Sequence, residues 1–137
     1  MPKFSQLSFS RLSTCHPDLQ VLFYEVVRHF DCTILEGHRN QADQDAAFNR
    51  GASKLRWPNG NHNRSPSLAV DVAPYPFPGW TKTNDFIYFG GYVMGVAQLL
   101  RDQGKMTHAI RYGGDWSKNQ RVSDERFTDA VHFEILL

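Results

Sequence analysis

The sequence predicts an α+β fold in which helices pack against a small, mostly antiparallel sheet whose polar face and loops build a groove. Three observations carry that expectation. Residues 67–73 and 131–135 each alternate apolar and polar side chains, as strands with one buried face do. Leu19, Leu22, Val26 and Phe30 recur at helical spacing, and a longer apolar helix is predicted over 85–103. With 137 residues, 41% of them hydrophobic, a single domain covering 1–137 is expected, without a second binding domain.

Each element follows from its residues. Ser13 or Thr14 is expected to cap the first helix, entered through Pro17. Cys32 to Leu35 read as a strand that runs into Glu36-Gly37-His38-Arg39. Asn40 then caps a short helix that Gly51 stops, which puts Arg39 at a strand-to-helix corner. Residues 52–66, rich in Gly, Asn, Pro and Ser, form a long loop holding His62; loops of this length in compact domains are usually functional or disordered. In the next strand Leu68, Val70 and Val72 point one way, and Ser67, Ala69 and Asp71 the other. Pro74, Pro76 and Pro78 force an irregular excursion before Asn84 opens the long helix, which Gly104 ends. That helix is apolar nearly all round, as a buried central helix would be, with Gly90, Gly91 and Gly95 as points of close approach or weakness. Residues 109–112 are a short strand broken by Gly113 and Gly114, and 115–127 a polar loop. In the closing strand Val131, Phe133 and Ile135 are the apolar face, with His132 and Glu134 opposite.

Composition excludes several classes. A formal net charge of +1 argues against a dedicated nucleic-acid binder. The start lacks the apolar run of a secretory signal and no stretch is long and apolar enough to span a membrane, so synthesis in the cytoplasm without membrane insertion is expected. Cys15 and Cys32 are too few for a disulfide framework and lack the spacing of a cysteine zinc site.

The chemistry concentrates in four residues. Asp71 and His132 lie on separate strands, each on the face away from its hydrophobic set; with His62 they supply three ligands for a divalent cation, and Asp129 adds a carboxylate. Two imidazoles and one carboxylate would leave a tetrahedral zinc ion one open position, the arrangement of a catalytic site. Each residue has an ordinary alternative: a surface histidine for His62, a turn-bonding acid for Asp71, a loop acid for Asp129 and a satisfied strand histidine for His132. His16, His29, His38 and His108 have no patterned carboxylate partner and are assigned to capping, surface or packing roles. Positions three apart in a regular strand face opposite ways, so Asp129 and His132 can serve one site only if the strand begins after Asp129 or bulges beside it.

The segments from His62-Asn63 through Pro66-Ser67-Leu68-Ala69-Val70-Asp71, and Asp129-Ala130-Val131-His132-Phe133-Glu134, resemble the two metal-binding motifs of the M15 zinc peptidases. Within that family the similarity is to L-alanyl-D-glutamate endopeptidases of phage endolysins and bacterial wall remodelling, grouped with D-alanyl-D-alanine carboxypeptidases. It extends to His16-Pro17-Asp18-Leu19, Glu36-Gly37-His38-Arg39, Gly51-Ala52-Ser53-Lys54 and Tyr112-Gly113-Gly114-Asp115-Trp116, and so over most of the chain. The resemblance implies the M15/hedgehog-like fold, His62, Asp71 and His132 as ligands of Zn2+, Asp129 as general base, and Arg39 as a substrate-binding arginine. One departure is Gly60, where the family usually has a serine.

What it implies for function is a zinc-dependent peptidoglycan hydrolase cutting the stem peptide between L-alanine and D-glutamate, as a monomeric phage endolysin that reaches the wall after release. A D-alanyl-D-alanine carboxypeptidase or dipeptidase of the same fold, and a noncatalytic wall-binding or virion structural module, are the alternatives. Arg39 would stabilise an oxyanion or grip a carboxylate, against an ordinary salt bridge with a nearby acid. Glu134 would orient an imidazole or bind Arg39. Tyr75, Phe77, Trp80 and Trp116 are candidates for the groove's rim, with packing the favoured role for each. Asp115, Asp124 and Glu125 are read as solvated rather than calcium-binding.

Overall fold

The computed structural model describes residues 2–125 and 128–137. Four strands, β1 (Cys32–Glu36), β2 (Ala69–Pro74), β3 (Ile110–Tyr112) and β4 (His132–Ile135), form one antiparallel sheet in the order β1-β2-β4-β3. Helices α1 (Gln6–Leu12), α2 (Pro17–Val27), α3 (Gln41–Asn49) and α4 (Thr83–Asp102) accompany it, with α1 against β1 and α4 against β2 and β3. Alternation along each strand sorts the side chains. Ile34, Val70, Val72, Ile110, Tyr112, Phe133 and Ile135 are buried with Leu19, Leu22, Phe23 and Val26 of α2 and Phe89, Val93 and Leu100 of α4. Phe133 centres this core, its ring 4.8 Å from Tyr112, 5.3 Å from Phe23 and 6.4 Å from Phe89. Burying a side chain of that size is worth about 2–3 kcal/mol.

Helix α1 was not expected from the sequence. Its buried residues are Ser8 and Leu12, while Leu7 and Phe9 are exposed, so apolar spacing gives no guide to it. What it does is cover the outer edge of β1. The Ser8 hydroxyl accepts from the Ile34 amide at 3.0 Å and Arg11 donates to the Ile34 carbonyl at 3.0 Å, so side chains satisfy backbone groups that a free edge would leave open.

The cap of α2 is His16, not Ser13 or Thr14: its Nδ1 accepts from the Asp18 amide at 3.0 Å. Thr14 is engaged elsewhere, donating to the Arg11 carbonyl and accepting from the His38 amide. Asn40 caps α3 as expected, accepting from the Asp43 amide at 2.9 Å, and Gly51 follows its end at φ 78°.

Helix α4 begins at Thr83 and runs unbroken through its three glycines. It is not apolar all round in its setting. Phe86, Phe89, Val93, Ala97 and Leu100 are buried, whereas Tyr88 and Leu99 lie open to solvent and Tyr92 is partly open. The two tyrosines lean instead on Phe30, with ring centres 6.0 and 5.3 Å away. Gly90 is required by contact: a Cβ there would lie 2.2 Å from Cζ of Tyr112. The Tyr112 hydroxyl passes beside it to donate to the Phe86 and Ala130 carbonyls, tying α4 to the turn before β4.

Asp18 and His108 correct the reading that His108 lacks a carboxylate partner. One Asp18 oxygen accepts from the Thr107 amide and hydroxyl, the His108 amide and, at 2.9 Å, His108 Nδ1. This bond set pins the start of α2 to the segment leading into β3. The polar loop after β3 is described through residue 125; the last two positions of the expected 115–127 loop lie outside the described residues.

Candidate metal centre

Pairing in the sheet lines up the polar face. Asp71 on β2 is opposite Glu36 on β1 and His132 on β4, and Glu134 is opposite Arg111 on β3. Four strands thus contribute to one polar surface, which the loop carrying His62 overhangs. His62 sits in a single 3₁₀ turn, Asn61–Asn63, held by the Arg39 amide donating to the His62 carbonyl at 2.8 Å. The Asn63 side chain braces the turn, accepting from the Gly60 amide and donating to the Arg39 carbonyl and Gln44. A Cβ at position 60 would come within 2.9 Å of the Asn63 side-chain oxygen, so Asn63 occupies space that a residue larger than glycine would need.

The two histidines are oriented by their outer nitrogens. His62 Nδ1 lies 2.7 Å from the Gly37 carbonyl, which fixes the proton there and turns Nε2 toward Asp71. His132 Nε2 lies 2.7 Å from Glu134, which turns Nδ1 toward Asp71. Asp71 Oδ1 is 3.2 Å from each of these inward nitrogens, and the three ligand atoms all fall within 4.8 Å of one another. The edge of a tetrahedron with metal–ligand bonds of ~2.0–2.1 Å is ~3.3–3.4 Å, so the two measured separations fit two edges of a zinc coordination sphere. Both imidazoles are backed by an oxygen acceptor on the far nitrogen, as metal-binding histidines characteristically are.

Electrostatics fit a site built for a cation. Burial pushes the Asp71 carboxyl up, but His62 and His132 more than reverse it and hold it far below the usual carboxylate range. Burial pushes His132 down, while Asp71 and Glu134 raise it to about 10. Asp129 behaves the other way. Burial and the nearby Asp71 charge raise its pKa despite His132, His62 and Arg39.

Asp129 stands just ahead of β4, which begins at His132; the expected break in the strand is present. The Asp129 amide donates to the Gly113 carbonyl, the Gly113 amide to the His132 carbonyl and the His132 amide to the Asp129 carbonyl, closing a tight turn. A Cβ on Gly113 would lie 2.1 Å from the Asp129 carbonyl oxygen, so only glycine allows that approach. His62, Asp71, Asp129, His132, Arg39 and Glu134 all line one groove of about 650 Å³.

The pattern of the phage L-alanyl-D-glutamate peptidases matches residues 1–136. The chain belongs to that family. In fold, the peptidase is similar to a Serratia marcescens L-Ala D-Glu endopeptidase, ChiX, with a TM-score of 0.68 at 21% identity over 98% of this chain and 90% of that one. No curated protein sequence matches the chain.

Arg39 in this peptidase is held differently from a free substrate clamp. Its Nε and one terminal nitrogen take both oxygens of Glu36 at 2.8 and 2.7 Å, and the other donates to Gln44 at 3.0 Å. It also lies 3.8 Å from Asp71 Oδ2. The salt bridge weighed from the sequence is therefore present, and Glu134 bonds His132 and Arg111 rather than Arg39. Arg111, Gln44 and Asn63 were missed as parts of the site. Trp116, expected to pack, does so against the site itself, its ring 5.4 Å from His132 and 5.1 Å from the Arg111 guanidinium. Tyr75, Phe77 and Trp80 stay open to solvent, at 59%, 40% and 67%, although Phe77 and Trp80 each rest one side on buried Phe86. Among the described residues, His16, Asp18 and His108 are a second group close enough for a cation. There one Asp18 oxygen already accepts from four donors, His108 Nδ1 faces it and His16 Nδ1 serves as a cap.

Proposed function

We propose that this peptidase is a zinc-dependent endopeptidase that cuts peptidoglycan stem peptides between L-alanine and D-glutamate, acting in phage lysis. The observation that supports it is the convergence of His62 Nε2, Asp71 Oδ1 and His132 Nδ1 beside a carboxylate of raised pKa, in a member of this family. His62, Asp71 and His132 would hold the ion, which when bound would polarise the scissile carbonyl and acidify water.

The remaining roles fall to the chain's own residues. Asp129, half-buried and with its pKa raised by burial and by the Asp71 charge, takes the proton from the attacking water and delivers it to the departing amine of D-glutamate. Arg39 is a fixed cation, spent on Glu36 and steadying the outer oxygen of Asp71; its field also favours negative charge developing in the groove. Glu134 and Arg111 hold the His132 ring at its working angle. Arg39, Arg50, Lys54 and Arg111 face Glu36, Asp71, Asp129 and Glu134 along the groove, so a dication tips an even balance positive, as an anionic stem peptide requires. The single-domain, monomeric state expected from the sequence belongs to the same proposal.

Defined muropeptides incubated with the zinc-loaded protein and resolved by mass spectrometry test the bond. Fragments with a new D-glutamate amino terminus are expected. Release of free D-alanine alone would show a carboxypeptidase instead.

A further inference from the structure

Between β2 and α4 the chain displays aromatic residues where a core protein would hide them. Phe77 meets Trp80 edge-on, with ring centres 5.0 Å apart, and Trp80 stacks on buried Phe86 at 5.8 Å with planes 17° from parallel. The indole is thus supported from beneath by a core residue while two thirds of Trp80 remains open. A large aromatic ring left open to solvent on a buried supporting ring, beside a groove, suits a binding face.

Its surroundings narrow the ligand. Trp80 lines the catalytic groove and also a second depression of about 270 Å³ whose wall includes Asp129 and Val131. Directly after it, Thr81, Lys82, Thr83, Asn84 and Asp85 line a further hollow of about 330 Å³ with hydroxyl, ammonium, amide and carboxylate groups. One open indole face beside such groups suits a pyranose ring, whose axial C–H bonds lie on the aromatic face while its hydroxyls meet the polar neighbours. An apolar protein surface or a lipid tail would leave those polar groups unmatched.

The substrate's covalent structure puts a sugar within reach. In peptidoglycan the nitrogen of the stem's L-alanine is joined to the lactyl group of muramic acid, so the sugar lies on the amino-terminal side of the scissile carbonyl, two residue lengths or ~7 Å away. We propose that Trp80 and Phe77 form a subsite for the muramic acid ring of the glycan strand, continuous with the groove. The subsite rests on the endopeptidase reading above, and it makes the enzyme a reader of glycan-attached stems rather than of free peptide.

Two substrates with the same stem peptide test it, one free and one carried on the N-acetylglucosamine–N-acetylmuramic acid disaccharide. The wild-type enzyme should show a higher kcat/KM on the disaccharide-bearing form. Trp80→Ala should lower the ratio of the two values by roughly three- to tenfold, the size of one aromatic contact, and Trp80→Phe should keep most of it. Equal losses on both substrates, no loss on either, or no wild-type preference for the sugar overturns the subsite. A binding measurement separates this from the parent reading. The peptide-free disaccharide, titrated into zinc-loaded ¹⁵N-labelled protein, should move the indole N–H signal of Trp80 among the three tryptophans. A response confined to Trp57 or Trp116 overturns the subsite, whereas a Trp80 response in a protein that cleaves neither substrate supports it and removes the endopeptidase reading alone.

Discussion

Replacing Glu134 by Gln should weaken zinc binding about tenfold while leaving the fold in place. Burial pushes the Glu134 carboxyl up, yet hydrogen bonds from His132 and Arg111 hold it at about 2, against an ordinary value of 4.5. That difference corresponds to ~3 kcal/mol of preference for the charged form. Arg111 is a third exposed, so solvent screens part of the effect and about half is a fair share for the carboxylate's action on His132, ~1.5 kcal/mol. The route is specific. A carboxylate on Nε2 keeps the proton there and makes Nδ1 a more basic ligand, whereas a neutral amide keeps the shape and loses the charge. Competition against a chromophoric chelator at constant pH reads the affinity, and thermal unfolding of the metal-free protein checks the fold. A zinc Kd within twofold of the parent, in a folded variant, would refute the idea that Glu134 tunes the ligand.

Asp129→Ala should retain one zinc per chain by elemental analysis and lose ~10²- to 10⁴-fold in kcat on muropeptides, the usual share of a proton-transfer group; undiminished turnover would require another base. In the metal-free protein His132 remains an imidazolium up to about pH 10, a contribution to stability complete below its unfolded value near 6.5 and lost as pH rises through 10. Zinc must therefore displace a proton at pH 7, and its apparent affinity should climb with pH up to that value; calorimetry in buffers of different ionisation heat should find about one proton released, and finding none would contradict the geometry. Chelation should abolish cleavage and zinc alone restore it, followed on the same muropeptides; activity that survives complete metal removal would exclude the proposed centre. Gly90→Ala drives a methyl into the Tyr112 ring, and the overpacking should outweigh the ~1 kcal/mol gained in helix propensity, lowering Tm by several degrees; an unchanged or raised Tm would show that the ring yields freely.

Where one segment carries its own instructions, the sequence is readable. The alternation in β2 and β4, Asn40 ahead of α3 and the glycine after α4 are local signals, and all describe elements that exist. Asp71 and His132 could be matched because each lies opposite its strand's apolar set. Partners brought together by folding left no such trace. Arg111 meets Glu134 from 23 residues away, and Asp18 meets His108 from 90. Helix α1 escaped notice because its interior face is a serine hydroxyl on a strand edge and Leu12 alone, not a stripe of apolar side chains. The exposed Trp80 and Phe77 were assigned to packing by residue type, a preference that a binding face reverses. Arg39 was recognisable as part of the site, but its bidentate bond to Glu36 depends on the bulge between Ile34 and Glu36, which nothing in residues 32–36 announces.

Asp71 and His132 face each other across β2 and β4, and the residues on either side of them in those strands, Val70, Val72 and Phe133, are packed in the interior. Sliding one strand past the other by a single position would turn Phe133 to water and, in the same movement, swing the imidazole away from its carboxylate. The oily side of the sheet therefore acts as the jig that aligns the reactive side, and substitutions deep in that layer can blunt hydrolysis without ever meeting the substrate.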